Sequence, residues 1–244
     1  MIVAHRGASR DAPENTVPAF KLAWEQGADA VEGDFRQTKD GRIVCIHDPD
    51  TSRVADDTLV VSESFLQDLC RLDVGAHCGD VYAGIAIPTI AEVLDTVDHL
   101  KKIYVEVKGD EAMIPDLSAA IEASVLGPEQ VVIIAFKASV IRSLKSQAPR
   151  YKAFWLSSLK TDESGRLSPS RDTILKTLGA IGADGFSSDT RNLSESLVRS
   201  VKDAGYEYHV WTVDDLETAR QCKRWGVKSI TTNAPGYLRT HLAE

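Results

Sequence analysis

One unit recurs along the chain: a short apolar, largely β-branched run, then a stretch with helical spacing. The strand-like runs fall at 2–5 (IVAH), 30–35 (AVEGDF), 103–107 (IYVEV), 131–136 (VVIIAF), 152–157 (KAFWLS), 184–188 (DGFSS), 206–213 (YEYHVWTV) and 228–232 (KSITT). The first helical stretch, roughly 16–26, sets Val17, Phe20, Ala23 and Trp24 on one face and stops at Gly27. Others are expected at roughly 89–99, 112–125, 138–147, 171–181, 194–204, 214–225 and 234–242. Eight strand–helix pairs is the count of a (β/α)8 TIM barrel, an α/β fold. A doubly wound open sheet uses the same alternation, but with fewer strands and often a glycine-rich phosphate loop after the first one. HRGAS, which follows the first run here, is not GxGxxG.

Two pieces interrupt the alternation. RIVCIH (42–47) follows TKDG, whose Asp40-Gly41 pair suits a tight hairpin, so it is expected to fold back on the second strand as a ninth, antiparallel piece. Residues 49 to about 87 then intervene before IPTIAEVL; an insertion in that loop lies on the C-terminal face, where barrel enzymes build their sites. The reading is thus one domain over 1–244 with an insertion at about 49–87. The polar TDESGRLSPSRD (161–172) reads as an exposed loop.

Composition narrows the function classes. A formal net charge of −8 argues against wholesale binding to nucleic acid or to an anionic membrane, though not against a small basic pocket for one phosphate. No apolar run reaches the roughly 18 to 20 residues of a membrane span, and MIVAH has no export-signal pattern, so a cytoplasmic protein without stable membrane association is expected. The four cysteines, Cys45, Cys70, Cys78 and Cys222, form no CxxC pair or zinc spacing and read as reduced thiols.

Charge falls where a barrel would place a site. Glu32 and Asp34 stand two apart on the second strand and so point the same way; Glu106 and Lys108 repeat the pattern on the third. Such groups at inward-facing strand ends are costly unless paired or bound to a metal. Three carboxylates without clustered cysteines suit a hard divalent cation, Mg²⁺ or Ca²⁺, better than zinc. Lys108 beside them can meet a phosphate as a point charge. His5 ends the first run and His47 ends the hairpin strand; beside a carboxylate site the two imidazoles form a candidate acid–base pair. Trp211 stands where it either walls the pocket or packs the barrel.

These motifs together resemble the glycerophosphodiester phosphodiesterases. The carrying stretches are HRGAS with PENT (5–9, 13–16), VEGDFRQTKDG (31–41), VCIHD with Arg53 following, LDVG (72–75), IPTIAEVLD (87–95), YVEVK (104–108), VWTVDD (210–215) and ITTNAP (230–235). The resemblance implies a TIM barrel with a small insertion and hydrolysis of a phosphodiester to an alcohol and glycerol 3-phosphate. It implies Glu32, Asp34 and Glu106 as metal ligands, His5 and His47 as general acid and base, and Arg6 and Lys108 on the phosphate. Glu14 and Asn15 of PENT are implied as supporting groups, while helix N-capping is an alternative for Asn15 and Thr16. The sequence departs from the family pattern at Gly33, where a larger apolar residue is usual and a looser strand is expected. Further departures are TNAP for TDxP, IAF (134–136) for SSF, and PDTSRVA after Asp48. Alternative functions are a phosphodiesterase for lysophospholipids, favoured by an apolar rim at Phe65, Leu66, Leu69 and Tyr82, although the helical spacing of the first three equally suits the insertion's own core, or a phosphate-binding barrel without catalysis.

Overall fold

The computed structural model describes residues 1–242. In chain order its elements are β1 (Ile2–His5), α1 (Val17–Glu25), β2 (Ala30–Gln37), β3 (Ile43–Cys45), α2 (Leu66–Leu69), α3 (Ile90–Leu94), β4 (Lys102–Val107), α4 (Ile114–Glu122), β5 (Val131–Ala135), α5 (Ala138–Gln147), β6 (Lys152–Ser157), β7 (Lys160–Thr161), β8 (Leu167–Ser168), α6 (Arg171–Ile181), β9 (Gly185–Ser188), α7 (Glu195–Asp203), β10 (Glu207–Val210), α8 (Leu216–Arg224), β11 (Ser229–Thr232) and α9 (Pro235–His241). Strands β1, β2, β4, β5, β6, β9, β10 and β11 pair in that order, all parallel, and β11 returns to β1. The ring closes, as the eightfold alternation predicts. β3 lies antiparallel on β2 outside the ring, with Phe35 opposite Cys45.

Local chemistry explains the element ends. Thr16 caps α1 by accepting from the Ala19 N–H, and Ala19, Phe20 and Ala23 form the helix's buried face. Thr89 and Glu92 make a reciprocal capping box at the start of α3. That helix stops at Leu94, well short of the expected position 99: the following DTVD carries acids and β-branched residues, a poor composition for a last turn. The run at 206–213 shortens to β10, because Trp211 and Val213 leave strand geometry while still donating to the Ser188 and Thr231 carbonyls. The polar 161–172 segment is not wholly loop: Lys160–Thr161 and Leu167–Ser168 pair as a small hairpin, and Ser170 caps α6. All four cysteines are free thiols.

The insertion has its own apolar cluster, in which Val54, Val61, Leu69, Val74 and Ile87 pack beneath Val44 and Ile46. Leu66 joins that cluster and the Tyr82 hydroxyl donates to the Asp11 carbonyl, so of the four expected rim residues only Phe65 is largely exposed, with Lys39 over its ring.

Gly33 is not a loose point in β2. A Cβ there meets Cys45 Sγ and Phe20 Cζ at 3.1 Å and Phe35 Cε2 at 3.2 Å, so neighbouring side chains already fill the space of the missing one. Gly33→Ala is therefore expected to destabilise by about 1 to 3 kcal/mol through overpacking, read as a lower urea midpoint at unchanged slope. A neutral or stabilising result would show that the strand tolerates the larger residue.

Candidate active site

The C-terminal ends of β1, β2 and β4 meet at one cavity. Register brings its acids together: His5 pairs beside Glu32 and Asp34 beside Glu106, so two strands project carboxylates at one level. Glu32, Asp34 and Glu106 each offer an oxygen within 4.8 Å of the others, and all three are buried. Two cations reach the same cluster. Lys108 Nζ lies 3.0 Å from Asp34 Oδ1 and 2.5 Å from Glu106 Oε1. Arg6 Nε lies 3.1 Å from Asp34 Oδ2, and its Nη1 lies 2.9 Å from Glu14 Oε1.

The loop after β1 is shaped for this arrangement. Arg6 and Asn15 both hold left-handed backbone (φ 56° and 58°), a conformation asparagine tolerates and arginine seldom adopts. The turn aims the Arg6 N–H at Glu32 Oε2 (3.0 Å). Asn15 braces Asp34 from both sides, donating from Nδ2 to Oδ2 (2.9 Å) and accepting the Asp34 N–H at Oδ1 (3.1 Å). The split reading of PENT thus resolves by residue: Thr16 caps the helix, Asn15 fixes a carboxylate, and Glu14 bridges Arg6 to Arg53.

Both candidate histidines line the cavity, and each has its Nδ1 anchored. His5 Nδ1 is 2.7 Å from Asn233 Oδ1; His47 Nδ1 is 2.8 Å from Asp48 Oδ1. His47 lies two residues beyond β3 rather than at its end, and the Arg36 guanidinium holds its carbonyl through Nε and Nη2. Arg53 donates to Asp48 and to both oxygens of Glu14, tying the insertion to the loop after β1. Trp211 lines the cavity, packs against the barrel's inner apolar layer and meets Phe136 edge-on at 5.4 Å. Sequence reasoning left Arg36, Asp48 and Asp214 without a role. Asp48 adjoins His47, which was the one signal available for it.

Electrostatics set the site's state. Burial, reinforced by the Asp34 charge, pushes the Glu32 carboxyl up to about 8. The same two causes push Glu106 up to about 8. Asp34 goes the other way: burial opposes its ionisation, but Lys108 and Arg6 outweigh that and hold it below the usual carboxylate range. Burial lowers His5, aided by the Arg6 charge, and burial lowers His47 as well. Of the three acids, Asp34 is thus the one that stays ionised between the two cations, while Glu32 and Glu106 hold protons that a bound cation can replace.

Fold and site together define a class: a parallel α/β barrel whose strand ends present a carboxylate cluster, two cations and two anchored imidazoles. The sequence profile of the glycerophosphoryl diester phosphodiesterase family matches residues 5–237, and the chain belongs to that family. It is 31% identical to a glycerophosphodiester phosphodiesterase of Caldanaerobacter subterraneus, over 98% of this chain and 96% of that one. It is 28% identical to a Bacillus subtilis glycerophosphodiester phosphodiesterase, over 96% of this chain and 84% of the relative. The solved structure of an Oleispira antarctica phosphodiesterase in complex with the product sn-glycerol-3-phosphate shares the fold: TM-score 0.91, 23% identity, covering all of this chain and 97% of the other. No helix among the described residues is long and apolar enough to cross a membrane.

The donor set fits a hard divalent cation. The candidate ligand atoms are all carboxylate oxygens, and buried Glu32 Oε1 has no hydrogen-bond partner among the described residues. The raised Glu32 and Glu106 set the sign of a test. Between about pH 4.5 and 8 the folded chain retains protons that the unfolded chain releases, so without metal their contribution to stability falls as pH rises. A bound cation takes the place of those protons. In chelator the Tm is expected to drop from pH 6 to pH 8.5. Added Mg²⁺ or Ca²⁺ at about 100 times its pH 6 Kd should contribute about 2.7 kcal/mol there, roughly 5 to 10 °C, and the same concentration should contribute more at pH 8.5, where fewer protons compete for the carboxylates. A Tm indifferent to cation at both pH values would exclude the cluster as the binding site.

Proposed function

We propose that the chain is a metal-dependent phosphodiesterase that hydrolyses glycerophosphodiesters to an alcohol and glycerol 3-phosphate, its whole length acting as one domain with the insertion at about 49–87. The observation that carries this reading is the convergence of Glu32, Glu106, His5 and His47 on one cavity, with Asp34 buried beside the two glutamates, in a chain of this family. Glu32, Asp34 and Glu106 would hold the cation, which when bound offsets charge on the phosphoryl oxygens. Arg6 and Lys108 orient the phosphate beside it, and Trp211 walls the alcohol side. One imidazole takes the proton of the attacking hydroxyl as its oxygen bonds to phosphorus: either water, giving glycerol 3-phosphate directly, or a glycerol hydroxyl, giving a cyclic phosphate that water then opens to glycerol 3-phosphate in a second step. The other protonates the departing alkoxide as the ester P–O bond breaks. Each Nδ1 is engaged by its anchor, which leaves Nε2 for that transfer.

Support for Mg²⁺ or Ca²⁺ comes from the all-oxygen ligand set, and a small soluble substrate in the cytoplasm suits the acidic chain. The test is turnover of glycerophosphocholine and of lysophosphatidylcholine, each with Mg²⁺, with Ca²⁺ and with chelator. Cation-dependent release of glycerol 3-phosphate from the first is expected. Turnover of the lysophospholipid alone would move the substrate class to lipids, and turnover of neither would favour a binding barrel.

A further inference from the structure

The geometry points to Asn233 as a positioning residue that fixes the tautomer of His5, with Asp214 fixing Asn233 in turn. The catalytic part assigned to His5 is that of the proposed function, on which this inference rests. Asn233 follows β11 and Asp214 lies between β10 and α8, so both belong to loops at the same barrel mouth as His5.

The orientation of an amide follows from its partners. Asn233 Nδ2 faces Asp214 Oδ2 at 2.6 Å, and a carboxylate only accepts, so the atom facing it is the donor nitrogen. The other end, Oδ1, accepts from Ser9 Oγ at 3.0 Å and meets His5 Nδ1 at 2.7 Å. An amide oxygen has no proton to give; His5 Nδ1 must therefore carry the hydrogen. In the neutral ring this leaves Nε2 as a bare acceptor, 4.0 Å from Glu32 Oε2 and turned toward the carboxylate cluster.

The support behind the amide is extensive. Asp214 Oδ1 accepts from the Asn233 N–H (2.8 Å) and from Thr232 Oγ1 (2.9 Å), while the Arg10 N–H donates to the Asn233 carbonyl (3.1 Å). Backbone and side chain of Asn233 are both pinned, and the amide cannot flip without bringing Nδ2 against the Nδ1–H of His5. The two histidines consequently differ: His47 leans on the carboxylate of Asp48, whereas His5 leans on a neutral acceptor whose carboxylate stands one bond further back. Asn233 supplies tautomer and ring direction without placing a second charge against the acids.

The test uses metal-free protein labelled with ¹⁵N on the imidazole rings, at a pH where the rings are neutral. The His5 signals are assigned by their absence from His5→Gln. Two-bond ¹H–¹⁵N correlations are expected to show the Nδ1–H form of His5 in the wild type. In Asn233→Ala that preference should be lost, with kcat on glycerophosphocholine down at least about 10-fold and KM near wild type. The double variant Asp214→Asn with Asn233→Asp exchanges the two groups and still offers Nδ1 an acceptor; it should keep the Nδ1–H form and recover most of kcat. An Nε2–H wild type, or an Asn233→Ala protein with unchanged ring signals and kcat, overturns the proposal. A protein with no diesterase activity would instead overturn the proposed function, leaving the tautomer measurement to decide this point on its own.

Discussion

His5→Ala and His47→Ala are each expected to lower kcat on glycerophosphocholine by about 10²- to 10⁴-fold, the range for losing a positioned acid or base. Stability should change little, because neither imidazole belongs to the apolar core: their side chains are 18% and 33% exposed. KM should stay near wild type, since the phosphate is left to Arg6 and Lys108. The two losses will not multiply. Residues that act on one transition state as a unit fail together, so the double variant should be only slightly slower than the worse single one. A substrate with a nitrophenol leaving group separates the roles, because that alcohol departs without protonation. The variant whose defect shrinks on the activated ester lacks the acid; the one whose defect persists lacks the base. Full activity of either single variant would remove that histidine from the reaction.

Much of this site is legible in the sequence because strands impose a period of two. Glu32 with Asp34 and Glu106 with Lys108 must each share a face, and a barrel of parallel strands turns such faces toward one axis. What the period does not carry is register between strands. That Asp34 stands beside Glu106, and His5 beside Glu32, follows from how the closed ring staggers its strands. Loop residues were the harder part. Nothing in PENT indicates that Asn15 takes a left-handed backbone and turns its amide onto Asp34, because that contact crosses from a loop to the middle of a strand. Likewise, Asn233 and Asp214 reach His5 across more than 200 residues of chain, and their meeting depends on β11 closing against β1. Glu14, Arg53 and Asp48 show the same limit, since the insertion's fold decides where Arg53 lands. Gly33 shows the converse: its neighbours in sequence suggest a gap, and only the Phe20 ring arriving from α1 reveals that the gap is filled.

Asp34→Asn is expected to be the most destabilising conservative change in the site, and Glu32→Gln to cost far less, although both remove one carboxylate charge. Asp34 is fully buried and its charge is in use: Arg6 and Lys108 both contact it, and they hold its carboxyl below the normal range. Its stabilising contribution is present above about pH 3.8, the ordinary value, and is lost only as pH falls through the depressed one. At neutral pH an amide in its place takes one of two carboxylate partners from each of two half-buried cations, leaving Glu14 to Arg6 and Glu106 to Lys108, which costs about 3 to 5 kcal/mol, or roughly 6 to 20 °C in Tm for a chain of this size. Glu32 stands on the other side of the balance. Burial and the Asp34 charge raise it to about 8, so in metal-free protein at pH 7 it is largely protonated already, and glutamine imitates that form while keeping an oxygen for the Arg6 N–H. Glu32→Gln should therefore unfold within a few degrees of wild type in chelator, yet lose most of the Tm gain on adding Mg²⁺ or Ca²⁺. Thermal unfolding of the two variants, with and without cation at pH 7, distinguishes a charge that holds the barrel mouth together from one kept ready for a ligand. Equal losses in chelator would mean that the two carboxylates share the cations evenly.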